Sequence, residues 1–214
     1  VNAGAIVYDV QGRAVEVVQT IQGPANDVPL VAGKTTWVRA FGRFSVSGAT
    51  TPRLERLSLA QLHGTRGGTA LPGSPLQSMG GDSVLLTTDT DRTIESAGSW
   101  FRLPMEWTTG SVVLRAEFNA EHVVTETNFS NNSAQATVTF NARKSIHLRV
   151  YPLRTHQGTI DGYSPDYQPV LDLAETLLPT PEVTASFGGI TIEEWEPTFT
   201  NPYNFGPYEL SKSD

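Results

Sequence analysis

The chain has 214 residues, of which 38% are apolar and 17% charged, and its formal net charge is −7. This composition is too apolar for a disordered chain. The acidic balance excludes nucleic acid and anionic membranes as natural partners, because neither phosphates nor acidic lipids would be attracted to such a surface. Cysteine is absent, which excludes disulfides, thiolate catalysis and cysteine-ligated metal sites.

Alternating apolar residues predict a series of short strands between turn residues in the first 140 positions. The strands are predicted at 3–12, 13–23, 28–48, 53–64, 83–95, 98–107, 110–119 and 133–140. Short strands at such close spacing are typical of an antiparallel sandwich. The Gly-, Pro- and Ser-rich stretch 64–82 is expected to be a loop that is either functional or flexible, and a flexible loop is favoured. No apolar run approaches the roughly 18 residues of a membrane-spanning helix, so no membrane insertion is expected.

The pattern changes after Phe140. A strand is predicted at 144–155, a helix at about 165–178, and one or two further strands at 182–195. The helix is indicated by a capping serine, a proline at the first helical position and apolar residues at helical spacing, which are Ser164, Pro165, Val170, Leu171, Ala174, Leu177 and Leu178. The sequence therefore predicts a mainly β chain, with an antiparallel β-sandwich at 1–142 and a small α/β segment at 143–214.

The end of the chain, residues 196–214, has little periodicity and contains three prolines and four aromatic residues, Phe199, Tyr203, Phe205 and Tyr208. The prolines favour an extended tail. Because exposed aromatic rings are costly in water, we expect the four rings to dock on the sandwich or on an adjacent subunit, unless the tail is a frayed end. Sheet edges also carry unpaired backbone groups. A protein partner or self-association through an edge strand or this tail is therefore predicted.

Three phrases of the sequence resemble a known family. They are "VEVVQTIQG" followed by "NDVPLVAGKTTWVRAF", then "SWFRLPMEWTTGSVVLRAEFN", and finally "ETNFSNNSAQATVTF". Together they are similar to Ig-like, CARDB-like (cell-adhesion-related) sandwich modules of exported bacterial and archaeal proteins, over about residues 13–140. The resemblance implies an Ig-like sandwich in a secreted or cell-surface protein. It also implies that Glu126, Asn128, Asn131 and Asn132 are structural residues of the turn between the last two strands.

The asparagines of this turn allow two further interpretations. Asparagine tolerates positive φ and bonds to its own nearby backbone, so a cluster of asparagines can build a tight connection without glycine. Asn128-Phe-Ser130 and Asn131-Asn-Ser133 also match the acceptor pattern for N-glycosylation. In a eukaryotic secretory protein they would carry glycans, whereas in microbial proteins the pattern mostly arises by chance.

The Ig-like modules that this sequence resembles often precede a secreted zinc-peptidase domain. The stretch "IHLRVYPLRT", followed by "PDYQPVLDLAETLLPTPEV", resembles the start of that downstream part. The zinc motif His-Glu-x-x-His does not occur in the sequence. The resemblance therefore implies, at most, the non-catalytic N-terminal part of such a peptidase.

Residues able to bind metals are few. The histidines His63, His122, His147 and His156 do not stand four residues apart in any pair, so no zinc site is expected from them. Calcium is weakly possible, with Asp82, Asp89 and Asp91 as weak candidate ligands. The rest of a calcium-binding loop is missing around them, and a solvated turn is the favoured interpretation.

Other chemistry is equally sparse. Glu193, Glu194 and Glu196 surround Trp195, but neighbouring residues of a strand point to opposite faces and do not form a catalytic pair. A sugar-binding platform of tryptophans is considered less favoured than core packing for Trp37, Trp100, Trp107 and Trp195. We therefore expect a non-catalytic extracellular module acting in adhesion, spacing or assembly. The alternatives are the peptidase N-terminal part and a carbohydrate-binding module.

Overall fold

Strands make up most of the regular structure in this computed structural model, which describes residues 7–47, 55–57, 60–79, 84–86, 92–94, 97–150, 153–154, 168–187 and 192–193. In chain order the strands are β1 (Val7–Val18), β2 (Leu30–Val31), β3 (Trp37–Ser47), β4 (Glu55–Leu57), β5 (Gln61–Arg66), β6 (Thr69–Ala70), β7 (Leu76–Gln77), β8 (Val84–Leu86), β9 (Ser99–Arg102), β10 (Gly110–Glu117), β11 (Ser133–Asn141), β12 (Ile146–Val150), β13 (Leu153–Arg154), β14 (Val183–Phe187) and β15 (Ile192–Glu193). The α-helix of the described residues is α1 (Gln168–Leu177). The predicted mainly β class is confirmed.

The first sheet has the strand order β1-β3-β9, and both pairs are antiparallel. β1 is one continuous strand with a bulge between Gly12 and Ala14. The prediction of separate strands at 3–12 and 13–23 is wrong, because the bulge takes up the extra residue without ending the ladder. Glycine is needed at this point, since a Cβ on Gly12 would lie 2.3 Å from the backbone carbon of Ser133.

The second sheet has the order β2-β11-β10-β5-β6, and β7 also pairs with β5. β10 and β11 form an antiparallel hairpin, while β2 joins β11 in parallel with Leu30 opposite Phe140. The apolar residues of the strands form one core, which includes the fully buried Val10, Val17, Val38, Leu62, Phe101, Val112 and Leu114. The alternation that predicted the strands is therefore the alternation that fills the core.

Trp107 is the largest fully buried side chain of the described residues, and it lies on the short 3₁₀ helix Met105–Trp107. A Cβ on Gly64 would come within 2.4 Å of its ring, so glycine makes room for the indole on β5. The indole Nε1 donates a hydrogen bond to the carbonyl of Pro72 at 2.9 Å. The ring is thus buried with its polar atom satisfied, as a core tryptophan requires.

The stretch 64–82, predicted as a flexible loop, is folded into strands over much of its described part. It contains the end of β5 together with β6 and β7. Gly67 and Gly68 have φ of +56° and +82°, so they form the turn between β5 and β6. Leu71 is buried next to this hairpin. The interpretation as a structureless loop is wrong, because the glycines mark a hairpin turn. The single strand predicted at 53–64 is likewise two strands, β4 and β5, in different sheets.

The chain divides into two units. The sandwich unit comprises Val1–Lys144 with Pro179–Pro181, and the α/β unit comprises Ser145–Leu178 with Glu182–Asp214. In the α/β unit, β12 pairs in parallel with β14, and β13 pairs in parallel with β15. The described helix α1 falls within the predicted helix at 165–178, whose first residues lie outside the described part of the chain.

Candidate functional site

A buried carboxylate joins the start of β1 to the connection between β10 and β11. Glu126 is only 8% exposed. Its Oε1 accepts hydrogen bonds from the side-chain amides of Asn119 and Asn132, both at 2.6 Å. Its Oε2 accepts a hydrogen bond from the backbone N–H of Val10, also at 2.6 Å. Three donors compensate the burial of the negative charge, and the contacts tie strands distant in sequence. We call Glu126, Asn119 and Asn132 the Glu126 cluster.

Asn119 organises the loop that follows β10, and the sequence interpretation missed it. Its φ is 53°, a left-handed conformation that asparagine tolerates better than most residues. Its side chain accepts from the N–H of Val124 at 2.9 Å and donates to the carbonyl of Val124 at 2.8 Å. The isolated asparagine in "EFNAEH" gave no periodic signal, and only its partner Glu126 would have indicated its importance.

The turn asparagines predicted from the resemblance all lie in the connection between β10 and β11. Asn128 caps the 3₁₀ helix Phe129–Asn131, and the amide of Asn131 donates to the carboxylate of Asp9 at 3.1 Å. The φ angles of Asn128 and Asn132 are −143° and −71°. These asparagines therefore act through side-chain hydrogen bonds, and the positive φ angles of this connection occur at Asn119 and His122 instead.

Three amide side chains close strand edges in the sandwich unit. On β1, the N–H of Val17 donates to Asn26 Oδ1 at 2.7 Å, and Asn26 Nδ2 donates to the carbonyl of Val15 at 2.8 Å. One side chain thus supplies the acceptor and donor that a neighbouring strand would supply. Gln22 Nε2 adds a bond to the carbonyl of Val17 at 3.0 Å. We call Gln19, Gln22 and Asn26 the edge amides.

The side chain of Gln19 bonds to backbone groups at the edge of β2 in the same way. The N–H of Val31 donates to Gln19 Oε1 at 2.8 Å, and Gln19 Nε2 donates to the carbonyl of Val31 at 2.7 Å. Nε2 also donates to the hydroxyl of Thr36 at 2.9 Å. Edge strands with free backbone groups attract other chains, so these contacts leave fewer groups available for pairing along β1 and β2. The sequence interpretation predicted open edges and did not identify the edge amides.

Three ionisable side chains form a cluster on β5 and β10. His63 Nε2 is 3.2 Å from the Glu117 carboxylate, and an Arg115 guanidinium nitrogen is 2.8 Å from the same oxygen. Burial lowers the pKa of His63 from its ordinary value of 6.5, and the positive charge of Arg115 lowers it further, whereas Glu117 acts in the opposite direction. The folded chain therefore binds a proton at His63 less readily than a solvent-exposed histidine does.

His147, in the α/β unit, contacts two hydroxyl groups. Its Nδ1 is 2.9 Å from Thr184 Oγ1, and its Nε2 is 2.9 Å from Ser186 Oγ. A serine within hydrogen-bond reach of an imidazole is one requirement of nucleophilic catalysis. Here the imidazole is exposed on the two-stranded sheet, and its two nitrogens link β12 to β14. The geometry is that of a cross-strand contact.

Many of the other predicted site residues lie outside the described part of the chain. Within the described ranges, no group of three or more His, Asp or Glu side chains could hold a metal ion. The described parts of the chain exclude the calcium candidates Asp82, Asp89 and Asp91, the tail aromatics Phe199, Tyr203, Phe205 and Tyr208, and also His156, Glu194, Trp195 and Glu196. The predictions for these residues remain predictions.

The tryptophans contribute to packing where they are described. Trp107 is fully buried, so it cannot form part of a sugar-binding platform. The Arg39 guanidinium lies 5.2 Å from the Trp100 ring and 4.5 Å from the Phe41 ring, so one cation lies close to both aromatic rings.

A groove of about 480 Å³ lies beside the Glu126 cluster, lined by Val7, Tyr8, Val123, Val124, Thr125, Glu126 and Thr127. No described helix is long and apolar enough to span a membrane.

Comparison with known proteins gives limited similarity. No family model and no curated protein matches the chain. A crystal structure of the CARDB domain of a Pyrococcus furiosus protein, in complex with di-metal ions, is 15% identical over 64% of this chain and 96% of that domain, with a TM-score of 0.35. A solution NMR structure of the same domain is 14% identical over 63% of this chain and 95% of that chain, with a TM-score of 0.32.

Both structures are CARDB domains, the kind of module that the sequence resembles. Such TM-scores and identities carry no information about ligands or activity. The assignment of a β-sandwich with a small α/β unit stands on the strand order and core described above.

Proposed function

We propose that the chain is a non-catalytic β-sandwich module of a secreted or cell-surface protein, acting in adhesion, spacing or assembly. The observation that carries this proposal is the closure of β1 and β2 by the edge amides. Open edges pair with neighbouring chains, whereas edges occupied by the module's own side chains keep adjacent copies separate. Of the three roles, spacing therefore fits the geometry best.

The use of reactive side chains supports a non-catalytic role. The buried Glu126 carboxylate accepts three hydrogen bonds from its own domain. A general base must reach the proton of a substrate, and groups engaged in this way are not presented to one. The described part of the chain thus uses its polar chemistry to fix the fold.

The spacing role is tested by measuring the mass of the purified full chain by light scattering over a wide range of concentrations. We expect a single chain at every concentration, because the edge amides occupy backbone groups of Val15, Val17 and Val31 on the β1 and β2 edges. A concentration-dependent dimer would contradict spacing and favour assembly. In parallel, protease treatment of intact cells of the source organism tests location. Degradation of the protein is expected, and complete protection would contradict a surface or secreted site.

The tail aromatics Phe199, Tyr203, Phe205 and Tyr208 extend this proposal. Their docking on their own chain is compatible with spacing, whereas their docking on a second subunit would favour assembly. Deletion of residues 196–214 is expected to lower the thermal midpoint if the tail packs on its own chain. It is expected to lower the mass if the tail packs on a second subunit. An unchanged midpoint and an unchanged mass would contradict both forms of docking.

A second candidate is the non-catalytic N-terminal part of a secreted zinc metallopeptidase. The observation that favours it is the parallel β12–α1–β14 arrangement. Parallel strands joined through a helix are the repeating unit of α/β domains, in which further layers cover the sheet. The gene sequence after Asp214 provides the test. A His-Glu-x-x-His motif there would support this candidate, whereas further sandwich repeats or a stop codon would support the first.

A further inference from the structure

Two consecutive Asn-x-Ser sequences, Asn128–Ser130 and Asn131–Ser133, run through the connection between β10 and β11 to the first residue of β11. We propose that Asn128 is an acceptor for N-linked glycosylation in the folded protein and that Asn131 is not. The proposal rests on the proposed function, because only an exported chain would meet the transferase. The donor required is an oligosaccharide linked to a polyprenyl pyrophosphate, and an oligosaccharyltransferase would act on the loop.

The Asn128 sequence is presented to solvent along its whole length. Asn128, Phe129 and Ser130 are all exposed. Asn128 Oδ1 accepts hydrogen bonds from the Ser130 N–H at 3.1 Å and from the Ser130 hydroxyl at 2.6 Å. The serine that defines the acceptor pattern is therefore already in contact with the acceptor amide. Both hydrogen bonds are accepted by the oxygen, so they do not engage the nucleophilic Nδ2 of this exposed residue. Hydrogen bonds to the amide oxygen also increase the acidity of the N–H groups on Nδ2.

The Asn131 sequence has the opposite arrangement. The Asn131 Nδ2 donates to both carboxylate oxygens of Asp9, at 3.1 and 3.3 Å, so the nucleophilic nitrogen is held by a charged partner. Its Oδ1 is buried. Ser133 begins β11 and is paired with Glu117 in the ladder. Because neither the nitrogen nor the serine can move without breaking these contacts, the folded chain withholds Asn131 from a transferase.

The transfer at Asn128 is a substitution without redox change. The Asn128 Nδ2 attacks the anomeric carbon of the first sugar, and an N–C bond forms. The bond between that carbon and the pyrophosphate oxygen breaks, and the polyprenyl pyrophosphate leaves with the electron pair. The proton released from Nδ2 passes to a base of the transferase. The sugar would then lie next to Phe129, the following residue, which is 41% exposed.

The test is an in vitro reaction with the folded full chain, a purified oligosaccharyltransferase and a lipid-linked oligosaccharide, followed by intact mass and peptide mapping. We expect one glycan, at Asn128. Asn128→Gln and Ser130→Ala should each abolish it, whereas Asn131→Gln and Ser133→Ala should keep it. Circular dichroism verifies that each variant is folded. Denatured chain is the matched control, in which Asn131 is expected to become a second acceptor.

A folded chain that takes no glycan would overturn the proposal, whatever the denatured chain does. A glycan at Asn131 of the folded chain would also overturn it. Asp9→Ala sharpens the test, because releasing the Asn131 nitrogen should raise modification at that site without affecting Asn128. Since the reaction is performed with purified components, its failure is independent of the cell-location experiment that tests the proposed function.

Discussion

The sandwich unit and the α/β unit treat their surfaces differently. In the sandwich unit, side chains close β1 and β2, and the Glu126 cluster satisfies a buried carboxylate. In the α/β unit, α1 has no buried residue, and Val170, Leu173 and Leu177 are 57–61% exposed along one helical face. An amphipathic helix gains most of its stability by covering its apolar face. Among the described residues, the sandwich unit therefore satisfies buried and edge polar groups with side chains, whereas the apolar face of α1 is exposed.

The largest expected effect comes from matched leucine truncations in the two units. Leu114 is fully buried in β10, so Leu114→Ala should lower the free energy of unfolding by roughly 2–5 kcal/mol. Leu173 is 58% exposed on α1, so Leu173→Ala should change it by less than about 0.5 kcal/mol. Urea unfolding followed by circular dichroism measures both. Equal losses would show that the apolar face of α1 is covered, and would contradict the proposed difference between the two units.

The Glu126 cluster should give the next largest effect. Glu126→Gln replaces one carboxylate oxygen by an amide donor that faces the donors of its present partners, so the free energy of unfolding should fall by about 2 kcal/mol. The exposed Glu121, in the same connection, provides the matched control, and Glu121→Gln should have no measurable effect. The same unfolding experiment decides the matter. Identical stabilities of the two variants would mean that the cluster does not hold β1 to the connection.

Opening the edge of β1 should have a smaller effect on stability but a clear effect on association. Asn26→Ala removes the bonds to Val15 and Val17, so we expect a loss of about 1 kcal/mol and a rise in mass by light scattering at high concentration. Gln77→Ala, at an exposed position, is the control. A monomeric Asn26→Ala variant would indicate that another feature protects this edge.

The smallest expected effect is a pH dependence through His63. Its folded pKa is lowered by burial and Arg115, so the unfolded chain binds the proton first. Stability should therefore fall as the pH drops through the unfolded value of 6.5, and this loss should end below the folded pKa. His63→Gln should flatten the pH profile of the thermal midpoint between neutral and mildly acidic conditions. A steeper profile in the variant would contradict the sign of the shift.

Period-2 alternation was enough to predict the sandwich, because residues such as Val112, Leu114 and Ala116 both define the pattern and fill the core. The edge amides could not be predicted in this way. Gln19 and Asn26 are ordinary loop residues in the sequence, and their importance depends on which backbone groups the fold brings to them. Asn119 was missed although its partner Glu126 is only seven residues away, because no periodic pattern marks a hydrogen bond between two loop side chains. The alternation of apolar and polar residues in the sequence indicates which positions are buried. Hydrogen bonds from side chains to the backbone of another segment leave no trace in that alternation.

The order in which these contacts can form has a consequence for synthesis. The bonds from Asn26 to Val17 and Val15 span only 9 and 11 residues, so a nascent chain can form them soon after β1 is made. The bond from Val10 to Glu126 spans 116 residues and must wait until most of the sandwich has left the ribosome. Long-range closure of this kind is slow, and unpaired strands are prone to aggregate while they wait. The Asn26 bonds can therefore satisfy backbone groups of Val15 and Val17 early, whereas the N–H of Val10 has to wait for Glu126.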